Sequence, residues 1–193
     1  MSDYTADIRQ AVAVLKKGGI ILYPTDTIWG LGCDATNSEA VRRIFEIKHR
    51  ADAKALITLV GSIAQLERTV DGVPEVAYDL LEFSERPTTI VYDRPNRYAG
   101  LAPELLAADG TIGVRLTKED FSASLCRAFN RPLISTSANI SGSASPRSFA
   151  EISEEIKKAV DYVCESRREE TGESQPSVVM RLSESGLFKV LRS

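Results

Sequence analysis

Residues Gly18–Gly32 read GGIILYPTDTIWGLG. The run Ile20-Ile21-Leu22-Tyr23 is continuously apolar and closes at Pro24, the pattern of a strand buried on both faces. Upstream, residues 4–17 place Ile8, Val12 and Leu15 at helical spacing, and Gly18-Gly19 stops that helix. A helix feeding a buried strand points to an α/β domain, and Tyr23–Gly32 then falls at the carboxyl end of a strand, where such sheets hold ligands. Thr25, Asp26 and Thr27 offer hydroxyls and a carboxylate there, while Gly30 and Gly32 permit close backbone approach. A polar turn in which Asp26 caps local amides reads equally well. Gly30-Leu31-Gly32 lacks the third glycine of a dinucleotide fingerprint. The chain has no GxxxxGK[ST] motif, so an ATP site here is not of the P-loop type.

Outward from this segment, strands and helices alternate. A helix capped by Ser38 carries Val41, Ile44 and Phe45 on one face and ends near Lys48. Leu56–Val60 is strand-like, a helix begins at about Ser62, and another takes Pro74 into its first turn. Thr88–Tyr92 and Thr111–Leu116 are rich in β-branched residues and read as strands. Helical spacing returns between Phe121 and Phe129. Leu133–Ser135 is a strand feeding the polar segment Thr136–Ser145. Ser148 and Glu151 form a capping box before a helix with Ile152 and Ile156 inward. Tyr162–Cys164 reads as a short strand and the charged residues 166–176 as a mobile loop. Ser177–Leu182 and Leu187–Leu191, joined through Ser183–Gly186, read as a closing hairpin. The expectation is an α/β fold, a single domain over residues 1–193 with an open, twisted mixed sheet flanked by helices.

Composition narrows the function. The chain has 193 residues, 43% hydrophobic and 26% charged, close to globular averages. No apolar run reaches membrane-span length, and the start MSDYTADIRQ lacks a signal-peptide core. Cys33, Cys126 and Cys164 form no CxxC pair, which suits a reducing compartment and points to the cytoplasm. A net charge of −3 argues against a surface that grips nucleic acid throughout, while leaving room for a local basic groove. With His49 as its one histidine, the chain cannot build a multi-histidine metal site, and a Ser-His-Asp hydrolase would have to use that residue.

Two further segments carry candidate chemistry. Lys48, Arg50 and Lys54 cluster between a helix end and the Leu56–Val60 strand. Three cations near a strand end suit a polyphosphate, although basic residues also favour helix C-termini for dipole reasons alone. Ser135-Thr136-Ser137-Ala138-Asn139-Ile140-Ser141-Gly142 gathers hydroxyls and an amide directly after a strand. It could hold phosphate or carboxylate oxygens, or it could be a serine-rich turn.

Taken together, YPTDTIWGLG, the KHR segment with its downstream lysine, and STSANISG resemble, in order and spacing, the YrdC-like threonylcarbamoyl-AMP synthase family. The resemblance runs from about Gly18 to Arg192. It implies a catalytic tetrad of Lys48, Arg50, Ser137 and Asn139. It also implies ATP contacts at Arg50, Lys54, Thr111, Ser137, Ser145 and Arg192, and L-threonine contacts at Thr27, Arg115, Ser135 and Ser177. Arg115 is the physical candidate for the amino-acid carboxylate, because a charge inside the strand run TIGVRL calls for a partner; the solvated face of an edge strand is the alternative. The chain departs from the family pattern at Ala51 and Ala55, where proline is frequent, and at Leu59, where some members have histidine. Glu85–Thr89 echoes the family's PGPxT stretch loosely, and Ser177-Val178-Val179 stands for its STV element.

The implied reaction joins L-threonine, bicarbonate and ATP into threonylcarbamoyl-AMP and pyrophosphate, for a transferase complex that modifies tRNA. The reacting species are anions, so the task is charge neutralisation and alignment. Lys48, Arg50 and Lys54 would screen the triphosphate with Mg²⁺ bridging its oxygens, and Ser137 and Asn139 would orient the reacting group. The rivals are a non-enzymatic RNA-binding protein, a paralogue acting on another carbamoyl or adenylyl substrate, and a hydrolase built on His49.

Overall fold

The computed structural model describes residues 3–49, 56–170, 176–183 and 185–192. The N-terminal helix α1 (Thr5–Lys16) ends where Gly18 adopts the left-handed φ of +79°. Strand β1 (Ile21–Tyr23) follows and turns back through Pro24–Trp29 into β2 (Gly30–Gly32), antiparallel to it. This second strand is the element the sequence reading missed, because Gly-Leu-Gly has no strand propensity of its own. Tertiary packing explains it: a Cβ on Gly32 would lie 2.6 Å from Tyr23 Cε1 and 3.1 Å from the Ile134 carbonyl oxygen. Gly32 therefore admits neighbouring protein backbone and ring, where the sequence had suggested room for a ligand.

Helix α2 (Ser38–Ile47) is capped by Asn37, whose Oδ1 accepts from the Glu39 and Ala40 amides; Ser38, the expected cap, is its first residue. Next come β3 (Ile57–Val60), α3 (Ile63–Thr69) capped by Ser62, and α4 (Glu75–Phe83) with Pro74 at its N-cap. Strands β4 (Thr88–Tyr92) and β5 (Ile112–Leu116) precede α5 (Asp120–Phe129) and β6 (Leu133–Ser137). The capping box expected at Ser148 and Glu151 does not form. Phe149–Glu151 is a separate 3-10 turn, Glu151 accepts from the Arg147 amide, and α6 (Glu154–Ala159) takes its own cap from Ser153. Strands β7 (Tyr162–Val163), β8 (Val178–Leu182) and β9 (Phe188–Arg192) complete the chain, the last two as the expected antiparallel hairpin. The loop expected over 166–176 lies partly outside the described residues.

Among the described residues the strands form one nine-stranded mixed sheet in the order β7-β1-β2-β6-β3-β5-β4-β8-β9. The α/β architecture read from the sequence is therefore the one observed. Every residue of β1 and β2 is buried, so both faces of the sheet are covered at that end. There α1, α2, α5 and α6 contribute Ala11, Leu15, Val41, Ile44, Phe121, Leu125 and Ile156 to the core. In the other half, Leu66 of α3 and Ala77 and Leu81 of α4 pack on Ile90, Tyr92, Ile112, Val114, Met180 and Leu182. Side chains alternate along a strand, so the residues between these, Thr89 and Arg115 among them, point from the opposite face. That face is the floor of the site. Among the described residues no helix is long and apolar enough to cross a membrane.

Candidate functional site

Strand pairing connects the polar residues Ser137, Ser135, Arg115, Thr89 and Arg192 across the sheet, with apolar residues and a glycine between them. Gly30 of β2 pairs with Ser137 of β6, and Ser135 pairs with Ile57 of β3. Leu59 pairs with Arg115 of β5, Arg115 with Thr89 of β4, Thr89 with Val179 of β8, and Val179 with Arg192 of β9. Above this row lies a cleft of about 580 Å³, lined by Thr27, Ile28, Gly30, Ile57, Arg115, Ser135, Thr136, Ser137, Ser145, Arg147, Pro176, Ser177 and Arg192. Segments from both ends of the chain meet there. Seven residues named from the sequence (Thr27, Arg115, Ser135, Ser137, Ser145, Ser177 and Arg192) share this cleft.

Arg115 is 3% exposed, so the alternative of a solvated edge-strand position does not hold; β5 runs between β3 and β4. Its Nη2 lies 3.2 Å from Asp26 Oδ1, an ion-pair contact outside hydrogen-bond geometry, and its Nε is buried without a hydrogen-bond partner. Burial pushes the Asp26 carboxyl above the usual range, and the facing Arg115 charge offsets only part of that rise. Asp26 is thus the counter-charge of Arg115, a role the polar-turn reading did not foresee. The guanidinium retains unused donor capacity beside the cleft, which suits a carboxylate.

The Pro24–Trp29 turn is held by its own hydroxyls. Thr25 Oγ1 donates to the Ile28 carbonyl at 2.7 Å, accepts from the Thr27 amide at 3.1 Å and lies 3.1 Å from Thr27 Oγ1. At the far side, Arg192 Nη2 donates to the Ser177 carbonyl at 3.0 Å and to Ser177 Oγ at 2.9 Å.

Lys48 meets two other members of the expected tetrad. It is 2% exposed, and its Nζ donates to the Ser137 carbonyl (2.6 Å), the Asn139 carbonyl (2.7 Å) and Asn139 Oδ1 (3.2 Å). Its own carbonyl accepts from the Ser141 amide at 2.9 Å. Lys48 therefore fastens the end of α2 to the Ser137–Ser141 loop, next to Ser137 of the expected tetrad. Asn139 completes the fastening: its Oδ1 accepts from Ser137 Oγ at 2.5 Å and its Nδ2 donates to the Ser143 carbonyl at 2.7 Å. Of the expected tetrad, Lys48, Ser137 and Asn139 meet, and Arg50 lies outside the described residues, as does Lys54.

Thr111 is not brought to the cleft. It precedes β5 at the end away from Arg115, about 13 Å along the strand, and its hydroxyl donates to Asp109 Oδ1 at 2.8 Å. The sequence reading in turn missed Arg147, which lines the cleft and pairs with Glu151 at 3.2 Å. It is the one cation between Thr136 and Glu151, and that was the available signal.

Nucleophilic catalysis finds little support. His49, 63% exposed at its side chain, meets Glu155 at 3.3 Å. Burial pushes the Cys33, Cys126 and Cys164 thiols well up, keeping them protonated at neutral pH. The site is a hydroxyl-floored hollow with arginines on its wall and rim, suited to binding anions.

Comparison with known proteins gives a consistent picture. Residues 13–193 match the Sua5/YciO/YrdC family model, described as Telomere recombination. The chain is 34% identical over 173 residues to the threonylcarbamoyl-AMP synthase of Hahella chejuensis, covering 89% of this chain and 91% of that one. It is 34% identical over 192 residues to the synthase of Pseudoalteromonas translucida, covering 98% and 100%. Among solved structures, P. abyssi Sua5 complexed with L-threonine superposes with a TM-score of 0.79 at 30% identity, over 91% of this chain and 50% of that one. E. coli YciO superposes with a TM-score of 0.80 at 26% identity, over 96% and 88%. The chain thus spans half the length of that Sua5 and nearly all of the curated relatives.

Proposed function

Because the chain belongs to the Sua5/YciO/YrdC family, we propose that it is an enzyme forming threonylcarbamoyl-AMP and pyrophosphate from L-threonine, bicarbonate and ATP, with nucleotidyl transfer as the chemical step. The observation that supports this reading most is Arg115: a buried arginine, incompletely paired, at the wall of a hydroxyl-lined cleft in a chain whose relatives bear the synthase name along their full length.

The amine of threonine adds to the carbon of bicarbonate-derived carbon dioxide, forming an N–C bond and releasing a proton. The new carboxylate then attacks the α-phosphorus of ATP. An O–P bond forms, the bond to the β-phosphate oxygen breaks, and pyrophosphate leaves. Arg115 takes the threonine carboxylate, with Thr27, Ser135 and Ser177 around the rest of the amino acid. Ser137 and Ser145 donate to the nucleotide, and Arg147 and Arg192 at the rim face its phosphates. Arg50 and Lys54 keep the phosphate role that the family resemblance implies. Lys48 and Asn139 hold the loop that presents Ser137. All of these groups act by alignment and charge compensation, so a nucleophile is not required.

Mg²⁺ would enter with ATP as part of the substrate and supply charge neutralisation at the phosphates, in keeping with its preference for phosphates and water over protein cages. Among the described residues no group of three His, Cys, Asp or Glu side chains comes together. The product would pass, in the cytoplasm, to a transferase complex acting on tRNA.

The test is incubation with MgATP, bicarbonate and single amino acids, reading pyrophosphate and the adenylate by mass. Release that depends on L-threonine and bicarbonate is expected. Turnover indifferent to threonine, or tight RNA binding without turnover, would turn the assignment towards a paralogue or a binding protein.

A further inference from the structure

Behind the Thr25–Thr27 turn, on the side away from the cleft, lies a tether that the reaction scheme does not use. Glu119 precedes α5, and its carboxylate caps that helix, Oε1 accepting from the Phe121 amide and Oε2 from the Ser122 amide, both at 2.8 Å. Anchored in this way, Glu119 Oε1 lies 2.9 Å from Arg167 Nη1. Arg167 sits in the left-handed region at φ +61°, unusual for a residue with a side chain. Its Nη1 also donates to the Thr25 carbonyl at 3.3 Å, while Glu170 holds its Nη2 at 2.7 Å. Both Arg167 and Glu119 side chains are under one-fifth exposed, at 19% and 18%.

The contacts form a directed chain. A rigid helix N-terminus fixes Glu119, Glu119 fixes Arg167, Arg167 holds the Thr25 backbone, and the Thr25 hydroxyl holds Thr27. A second cavity, about 430 Å³, flanks this arrangement and is lined by Asp26, Glu119 and Arg167. On that side Asp26 of the turn faces open space, so polar contacts contribute to setting its position. Thr27 reaches the cleft from this turn, and Asp26 of the same turn is the partner of Arg115.

We propose that Arg167, braced by Glu119, is a positioning residue that keeps the Thr25–Thr27 turn in place for the amino-acid substrate and so governs its affinity without touching it. The inference rests on the reading of the cleft as the threonine site. It separates the two substrates: the amino-acid end depends on this tether, whereas the loop presenting Ser137 is held independently by Lys48.

The experiment is steady-state kinetics of the full-length chain, wild type, Arg167→Ala, Arg167→Lys and Glu119→Gln, with threonine and ATP varied separately. Arg167→Ala is expected to raise KM for L-threonine at least tenfold and to leave KM for ATP within twofold. Arg167→Lys should recover part of the loss, since its ammonium can still reach one acceptor. Glu119→Gln keeps a capping oxygen but removes the charge, and should show the same one-sided change in smaller measure. If Arg167→Ala does not fold, Glu119→Gln decides the matter. Equal changes in both KM values, or no change in either, with an active wild type would overturn this inference alone. A wild type that releases no pyrophosphate with threonine would overturn the functional reading and this inference with it.

Discussion

Arg115 and Lys48 are both buried cations, yet their surroundings give them opposite tasks. Lys48 has acceptors for all three ammonium hydrogens in the loop it holds, so its charge is committed to structure. Arg115 has one off-axis carboxylate and an unmet Nε, so it is poised for a further anion. Lys48→Met should therefore cost about 2–4 kcal/mol of stability, since it strands several buried acceptors, and should lower kcat through a displaced Ser137. Chemical denaturation alongside kinetics checks this; an unchanged denaturation midpoint with lost turnover would return Lys48 to direct catalysis. Arg115→Lys keeps a charge near Asp26 but loses the forked geometry. Its KM for threonine should rise tenfold or more, about 1.4 kcal/mol, with the denaturation midpoint little moved.

At the scale of elements, β2 is held by what it lacks. Gly32 faces the Tyr23 ring so closely that Gly32→Ala should overpack the β1–β2 hairpin, costing about 1–3 kcal/mol. A thermal melt of the variant measures this, and a melting temperature equal to wild type would show that the hairpin relaxes freely. Much at this level was legible in the sequence. Thr88–Tyr92, Phe121–Phe129 and the closing hairpin were readable from periodicity and β-branched content, which are local signals. Ser148–Glu151 was not, because a capping pattern acts only if the chain continues as a helix, and here Glu151 turns back to Arg147. Nor was β2, whose existence depends on Tyr23 and β6 closing around it.

Across the whole molecule, one carboxylate fastens the N-terminal helix to the segment that begins with β7. Asp7, buried on α1, accepts from Tyr162 Oη at 2.7 Å, the Glu165 amide at 3.0 Å and the Ser166 amide at 2.7 Å. Burial pushes its pKa up, but these hydrogen bonds outweigh it and hold the carboxyl below the usual range. A depressed folded-state value means that its stabilisation is present above the unfolded pKa of about 3.9 and is lost as pH falls through the folded value. The urea midpoint of the wild type should consequently drop more steeply below pH 5 than that of Asp7→Asn, which is less stable at neutral pH by about 1–3 kcal/mol. Parallel curves for the two proteins would remove Asp7 from the acid response.

The linear sequence by itself determined most of the segments that become strands and helices, that they build a mixed α/β sheet, and which three polar segments carry the family's likeness. Those properties follow from side-chain periodicity and local backbone preference, which act over a few neighbouring residues. Only the tertiary structure decided what each charged group meets. Lys48 finds Ser137 and Asn139 across 89 and 91 positions of chain, Arg115 finds Asp26 across two strands, and the Thr111 hydroxyl turns to Asp109. A charge takes its role from the nearest opposite charge or acceptor in space, and spatial proximity is set by how the sheet is ordered.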